Sequence, residues 1–333
     1  MNIRKVYLGL IAILSVALFY EWTSGSRAES VVDHLEAAKV ESLKPQVSED
    51  GLYVYLENDL LKLKIAIQTG SIVESRLKEY GVENVDGSMG VRVFGSSETG
   101  SFKYYLKTGF TSQAPKYVLD NYGDSFVILK SEDGDLTKEF SFLPNTYEVL
   151  VKDSSDNGVG GKPFASLYRT EGRSLDLKTG VIEGGMMNNS SYQGVVISSD
   201  QDPYLSSRLR SIDEPFSVLS RSGWVSFIQK YFFAVLIGSD DYVYNYFAQP
   251  ANSGTYRMGY TVEKGEATSL VYSHSHRVFI GPKIRKDLAL RANNLELSID
   301  MGWFWFISQP MVWFLDLINE YVNSWALSII IFT

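Results

Sequence analysis

The residue types that could do chemistry are few in this sequence. Only three histidines occur, and two of them, His274 and His276, are separated by a single residue. Side chains two positions apart on a strand point to the same face, which is how a strand presents two metal ligands. No third ligand is identifiable from the sequence. We therefore interpret both as solvent-exposed strand histidines and predict neither a metal site nor a cofactor.

Two pairs of carboxylates could serve as an acid and a base. Glu57 and Asp59 flank Asn58 at the end of an apolar run, and Asp240 and Asp241 follow Gly238 after another. Asn, Asp and Gly after a strand are typical of a turn, because their side chains hydrogen-bond the nearby backbone. The sequence therefore favours turns at both places over general acid/base catalysis.

Composition and motifs exclude several further classes. With 31 Lys+Arg against 39 Asp+Glu the formal net charge is -8, which argues against a nucleic-acid-binding surface. Cys is 0, so a disulfide-stabilised scaffold is excluded. A phosphate-binding loop is not formed, because Gly160-Gly161-Lys162 continues into Pro163. G-x-S-x-G and H-E-x-x-H do not occur. We predict no catalytic residue.

The elements that must position these residues are mainly β-strands. Short β-branched and aromatic runs separated by Gly, Asn, Asp and Ser predict an antiparallel sandwich at 51–283, after a polar tether at 23–50. The longest of these runs, Phe227–Ile237, is interrupted by two polar residues and is too short to span a membrane. The predicted strands are Leu52–Leu56, Leu61–Ile67, Tyr117–Leu119, Phe126–Leu129, Tyr147–Val151, Val195–Ile197, Phe227–Ile237, Tyr242–Phe247 and Leu270–Tyr272.

The N-terminus carries an apolar segment. Arg4 and Lys5 precede a run at 6–20 without a charged residue, and a helix at 6–22 would be about 26 Å long. We predict a transmembrane signal anchor at 6–22, with residues 1–5 kept in the cytoplasm by the positive-inside rule. A cleaved signal peptide is the alternative, because Ser26-Arg27-Ala28 is an acceptable cleavage site.

The C-terminal end is rich in tryptophan, with Trp303, Trp305, Trp313 and Trp325 among its last 31 positions. We expect a helix from Pro310 to Val322, within a helical segment at 284–323. Its polar residues at 316, 319, 320 and 323 form one stripe. Such a helix lies in the membrane interface, and the alternative is a helix packed on the sandwich. The residues expected to face acyl chains or other helices are Trp313, Phe314, Leu317 and Tyr321.

Residues 324–333 are apolar but too few to span a bilayer. We expect a second transmembrane helix to begin near Trp325, and the sequence to be a truncated copy of a longer protein.

Several blocks of the sequence carry a resemblance. Gly223-Trp224 lies in Ser222–Val225, Tyr231 lies in Gln229–Phe232, and Gly281-Pro282 precedes Lys283. Together with Asp300–Pro310, these blocks resemble the YidC family of membrane protein insertases of Gram-negative inner membranes. The resemblance implies an uncleaved first helix, a large periplasmic β-supersandwich similar to galactose mutarotase, an interfacial helix and a five-helix insertase core. Only the first residues of that core occur here.

The resemblance implies a non-enzymatic insertase and chaperone component that acts alone or with the Sec translocon. Its implied partners are nascent membrane proteins, the Sec translocon with its accessory subunits, and the lipid bilayer, without nucleic acid. The chain lacks the groove of the core, so by itself it is expected to be inactive as an insertase. The alternative is a periplasmic carbohydrate-binding or mutarotase-like protein. The sequence disfavours it, because no separate histidine and carboxylate pair is evident for proton transfer.

Overall fold

The computed structural model describes ten stretches of the chain: residues 46–80, 90–96, 103–111, 114–156, 161–170, 194–229, 231–252, 254–265, 273–299 and 305–333. The predicted anchor at 6–22, Arg4 and Lys5, most of the tether and Trp303 lie outside them.

The described part of the chain contains twenty strands. They are β1 (Gln46–Val47), β2 (Tyr53–Glu57), β3 (Leu61–Ala66), β4 (Ser71–Leu77), β5 (Val91–Arg92), β6 (Gly95–Ser96), β7 (Lys103–Phe110), β8 (Tyr117–Gly123), β9 (Phe126–Ser131), β10 (Leu136–Phe142), β11 (Glu148–Ser155), β12 (Pro163–Thr170), β13 (Gly194–Ser198), β14 (Leu205–Arg208), β15 (Phe216–Ser220), β16 (Trp224–Ile228), β17 (Phe232–Ile237), β18 (Tyr242–Asn252), β19 (Thr255–Gly265) and β20 (Ser273–Pro282).

The strands form two antiparallel sheets. The 11-stranded sheet has the order β1-β2-β3-β4-β7-β12-β19-β18-β15, with β5 beside β4 and β6 beside β7. The 9-stranded sheet has the order β14-β13-β16-β17-β20-β11-β10-β9-β8. Alternating burial of residues along the strands produces this two-layer arrangement. In β3, for example, Leu61, Leu63 and Ile65 are buried and the residues between them are partly exposed.

The hydrophobic core lies between the two sheets. Tyr104 of the 11-stranded sheet meets Phe227 of the 9-stranded sheet with ring centroids 5.7 Å apart. Trp224 is the largest fully buried side chain among the described residues. The mainly β sandwich that the sequence predicts is therefore confirmed.

Two strand predictions differ from the structure. The run Phe227–Ile237 is not one strand, since β16 ends at Ile228 and β17 begins at Phe232, and the two pair antiparallel. Gln229, one of the two polar residues that interrupt the run, lies between these strands. Pairing also begins earlier than expected, because β1 pairs with β2 from Gln46. The predicted strand Leu270–Tyr272 lies outside the described residues.

Three α-helices follow the sandwich: α1 (Arg285–Arg291), α2 (Trp305–Val322) and α3 (Trp325–Phe332). Short 3-10 helices occur at Leu209–Ser211 and Leu295–Ser298. Among the described residues, no helix is long and apolar enough to cross a membrane.

Helix α2 begins five residues before the predicted start at Pro310, which therefore lies inside the helix. At this position a proline removes the hydrogen bond to the carbonyl of Phe306, and its ring crowds that carbonyl, which is why the sequence predicts a helix that begins at Pro310 rather than before it.

Candidate functional site at the sandwich and helix junction

Gly223 and Trp224 lie at the start of β16. Gly223 has a φ of +130°, and a Cβ there would lie 2.1 Å from the carbonyl oxygen of Ser198. Only glycine fits so close an approach. Trp224 is fully buried, and its Nε1 donates to the backbone carbonyl of Asn293 at 3.1 Å. The buried indole therefore ties the sandwich to the segment that follows the last strand.

Gly281, Pro282 and Tyr231 meet at the end of β20. Phe232 pairs with Pro282 and Phe233 with Gly281 in the sheet. A Cβ on Gly281 would lie 3.0 Å from the Cβ of Tyr147, so this position has no room for a side chain. The carbonyl of Tyr231 accepts the backbone N–H of Lys283 at 2.9 Å. Tyr231, Gly281 and Pro282 thus lie where the segment that follows β20 leaves the sandwich, and Trp224 contacts that segment at Asn293, whereas Gly223 packs against the end of β13.

Residues 284–299, which we name the connector, pack against the sandwich. They contain α1 and a 3-10 helix, and Leu288 and Leu295 are both completely buried in the core cluster. The Lys283 Nζ donates to the carbonyl of Ser298 at 2.8 Å and lies 5.0 Å from the ring centroid of Phe233. Apolar burial and hydrogen bonds together fix the connector on the sandwich.

A buried carboxylate, Glu148, forms ion pairs that join the sandwich to the connector, and the sequence did not predict them. Glu148 is 1% exposed. Its Oε2 accepts from Arg277 Nη2 at 3.0 Å, and its Oε1 accepts from Arg291 Nη1 at 3.0 Å. Arg277 also donates to the carbonyl of Arg291 at 3.3 Å. These residues are 129 and 143 positions from Glu148, so no local pattern indicates the cluster.

Helices α2 and α3 form a hairpin whose aromatic side chains are exposed. Trp313 is 60% exposed, Tyr321 85%, and Phe314 is also exposed, while Leu317 is half-buried. These four residues fall on one face of α2 at 3.6 residues per turn. Asn323 ends the helix in the left-handed conformation, with a φ of 54°. Trp305 and Pro310 belong to the first turns of α2.

The polar stripe of α2 is only partly exposed to solvent. Asn319 lies beside α3, with its Oδ1 3.5 Å from the Oγ of Ser328, and Ser328 is completely buried. Asp316 is half-buried and Glu320 is exposed. The stripe therefore includes part of the helix–helix contact.

The acidic pairs form turns. The Oδ1 of Asn58 accepts the backbone N–H groups of Leu60 and Leu61 at 2.9 and 2.7 Å. Glu57 contacts Lys62 and Lys78, each at 3.1 Å. In the second pair, Asp241 accepts from the hydroxyl of Ser239 at 2.8 Å. Turn formation accounts for both pairs, as the sequence indicates.

The prediction of solvent-exposed histidines is wrong. His274 is 3% exposed and His276 is fully buried. They face the core because the alternation of β20 continues through Val278 and Ile280, a signal present in the sequence. The His276 Nε2 lies 3.2 Å from Asp153 Oδ2, although the geometry of this contact is poor for a hydrogen bond. The structure thus supplies the histidine–carboxylate pair that the sequence did not reveal.

This buried pair belongs to a polar cluster that connects the sheets. Lys138 of β10 donates to Asp153 at 2.6 Å and, across the core, to the hydroxyl of Thr108 at 2.6 Å. Tyr260 of β19 bonds to His276 Nδ1 at 3.1 Å. Nothing in the described part of the chain groups three His, Asp or Glu residues so that they could hold a metal. Full burial also keeps a substrate from the pair.

Burial determines the protonation of the cluster. Desolvation lowers the pKa of His274 to about 2, with a further contribution from His276. It also lowers the pKa of His276 and that of Lys138, against the opposing effect of Asp153. Asp153 has a pKa of about 2, because the neighbouring Lys138 and His276 outweigh its own desolvation. Both histidines are therefore neutral at pH 7.

An open cleft of about 510 Å³ lies on the side of the 11-stranded sheet that carries Arg257. The guanidinium carbon of Arg257 is 4.9 Å from the ring centroid of Phe247 and 5.6 Å from that of Tyr168. The described residues that line the cleft include no histidine and no carboxylate. The cleft therefore lacks an acid/base pair for sugar epimerisation.

The fold and the junction define a class of protein: a large two-sheet β-sandwich tied through a short connector to an apolar helical hairpin. The family described as the YidC periplasmic domain matches residues 53–314. Because this match covers most of the sequence, the chain belongs to the YidC periplasmic domain family. Curated relatives of the chain are named as insertases rather than as enzymes.

Curated relatives carry the name membrane protein insertase YidC. The protein of Hahella chejuensis is 27% identical over 87% of this chain and 56% of its own length. That of Wigglesworthia glossinidia brevipalpis is 25% identical over 84% and 56%. That of Actinobacillus succinogenes is 26% identical over 99% and 65%. The chain thus spans somewhat more than half the length of these relatives.

Solved structures show weaker likenesses. A crystal structure of an active YidC insertase with its first transmembrane domain resolved aligns over 100% of this chain and 60% of its own, with 13% identity and a TM-score of 0.30. A galactose mutarotase-like protein from Lactobacillus casei aligns over 69% and 99%, with 9% identity and a TM-score of 0.39.

Proposed function

We propose that this chain is the membrane-anchored and periplasmic part of a membrane protein insertase. In this proposal the helix at 6–22 is an anchor with its N-terminus in the cytoplasm, and the sandwich lies in the periplasm. Helix α2 lies at the outer surface of the inner membrane, and α3 enters the bilayer. The complete protein assists the insertion and folding of nascent membrane proteins, alone or with the Sec translocon and its accessory subunits.

The observation that carries the proposal is the convergence of the motif residues on the junction. Trp224 donates to the connector at Asn293, and Pro282 pairs with Phe232 at the end of β20, where the connector begins. These contacts fix the connector on the sandwich, and the connector precedes α2 in the chain. A connector fixed on its sandwich suits a protein whose soluble domain is attached to membrane helices.

The experiment joins this chain to the remaining insertase core of a curated relative and measures insertion of a reporter membrane protein in cells depleted of their own insertase. We expect insertion to be restored. Glu148→Gln should lower it, because the change leaves Arg277 and Arg291 without their buried anionic partner.

Glu263→Gln is the matched control, since Glu263 also pairs with a cation, Lys162, but at an exposed site remote in sequence from the junction motifs. It should insert the reporter like the parent. A joined protein that folds and reaches the membrane without restoring insertion would reject the proposed function. Equal loss in both variants would reject the role of the junction.

A further inference from the structure

The connector has an outward face that the sandwich does not use. Leu288 is buried in the core, so the positions two residues before and after it, Lys286 and Leu290, lie on the opposite side of α1. Leu290 is 86% exposed and Lys286 is exposed. Ile284 and Leu297 are each 44% exposed on the same connector.

The outward face of α1 carries one charged side chain, that of Lys286. Arg285 and Lys286 have no ion pair or hydrogen bond through their side chains to any described residue. Asp287, the acidic residue of α1, lies on a flank where it influences the hydroxyls of Tyr80 and Tyr147. Glu296 is half-buried. The outward face thus combines the Lys286 cation with the exposed side chain of Leu290, and Arg285 lies on one flank; a cation beside an exposed aliphatic side chain is the chemistry that an anionic lipid surface attracts.

Chain geometry keeps this face near the bilayer. Six peptide units join Ile299, the last described residue of the connector, to Trp305, the first residue of α2. At about 3.3–3.6 Å per residue they reach no further than roughly 20 Å. Helices α2 and α3 expose large apolar side chains, among them Trp313, Ile330 and Ile331.

We infer that the connector is a second membrane contact: Leu290 enters the lipid headgroup region while Lys286, with Arg285 on its flank, binds anionic headgroups. The inference rests on the proposed function, which places α2 at the membrane. It adds that the sandwich is held over the bilayer at two points, and that the second point depends on anionic lipid.

The absence of cysteine allows a direct test. Single cysteines replace Leu290, Trp313 or Leu219 in the full 333-residue chain, and each carries an environment-sensitive fluorophore. Leu219 is an exposed leucine on the edge strand β15, so it is the matched control. The labelled chains are placed in nanodiscs of phosphatidylcholine alone or with about one third phosphatidylglycerol.

We expect a blue shift at position 290 that is larger in the anionic discs, a blue shift at 313 in both, and none at 219. Lys286→Glu should reduce the ratio of lipid-bound to free connector in anionic discs by at least about 5-fold. A shift at 313 without one at 290 would overturn the lipid contact and leave the proposed function intact.

No shift at either 290 or 313 would reject the membrane position of α2, and with it the proposed function. Equal shifts at 290 and 219 would show that the sandwich lies on lipid without a specific contact. An unchanged response of Lys286→Glu would remove the role of the anionic headgroups. The last two results also overturn the inference.

Discussion

At the scale of single residues, burial rather than pairing determines the state of His274. Both of its ring nitrogens lack a hydrogen-bond partner among the described residues, and its ring packs against Tyr242, Tyr244 and His276. A neutral imidazole in such a position acts as an aromatic packing residue. Its burial lowers the free energy of unfolding only at a pH at which the unfolded chain carries the charged imidazolium.

The pH dependence of stability follows from this burial. The unfolded chain binds protons at His274 and His276 near pH 6.5, whereas in the folded chain the pKa of His274 is about 2 and that of His276 is lowered. The free energy of unfolding should therefore fall as the pH drops below 6.5, by about 1.4 kcal/mol per pH unit for His274 and by a further amount for His276. Urea denaturation of residues 46–299 between pH 7.5 and 5 measures the slope.

His274→Phe should reduce that slope by about 1.4 kcal/mol per pH unit, because it keeps the ring packing and loses the titrating group. Ser275→Ala is the control, since Ser275 lies on the exposed face of β20 between the two histidines. It should keep the full slope. Equal slopes in His274→Phe and the parent would show that this histidine does not cause the pH dependence.

Gly223 lies where a side chain would collide with the backbone at the end of β13. Gly223→Ala should destabilise the sandwich by roughly 2–4 kcal/mol, because its Cβ would collide with the Ser198 carbonyl. Gly254→Ala is the control, with a φ of +69° and no atom within 4 Å of the added Cβ. It should cost only the left-handed strain, about 1–2 kcal/mol. Equal losses of unfolding free energy would refute the close-approach argument.

At the scale of elements, the two faces of α2 predict unequal effects. Leu317→Asp places a charge on the face that also carries Trp313 and Tyr321, and should weaken membrane contact by at least 1.5–3 kcal/mol, roughly the worth of burying the leucine. Asp316→Asn on the polar stripe should change little, because a partly exposed carboxylate gains little from its neighbours. Reporter insertion at equal expression, with the insertase core joined, compares them. A more damaging Asp316→Asn would mean that α2 is oriented differently.

The elements also show how far the sequence leads. Alternation in runs such as Leu61–Ile67 predicts strands, because period-two burial is a local property. It does not predict that β11 pairs with β20 across more than a hundred residues, which is what brings Asp153 to His276. The motif blocks identify Trp224 and Gly281, but Glu148 lies in no such block. Long-range pairing is therefore the part of the site that only the structure supplies.

At the scale of the whole molecule, the connector belongs energetically to the sandwich. Removing it would expose the core surface that Leu288 and Leu295 cover, since both leucines are completely buried. It would also leave Glu148 without its ion pair to Arg291. Burying each leucine is worth about 1.5–3 kcal/mol, against a typical domain stability of about 5–15 kcal/mol. The sandwich strands and the connector should therefore unfold together.

This predicts different behaviour for two fragments. Residues 46–299 should fold alone as a β domain, with a cooperative urea transition and a strand-type circular dichroism spectrum. Residues 46–282 should lose about 3–6 kcal/mol from the two leucines alone and unfold at a much lower urea concentration. Leu290→Ser in the longer fragment is the control, because Leu290 contributes its exposed side chain to no core contact, and its midpoint should match the parent. If both fragments share one midpoint in urea, the connector does not stabilise the sandwich.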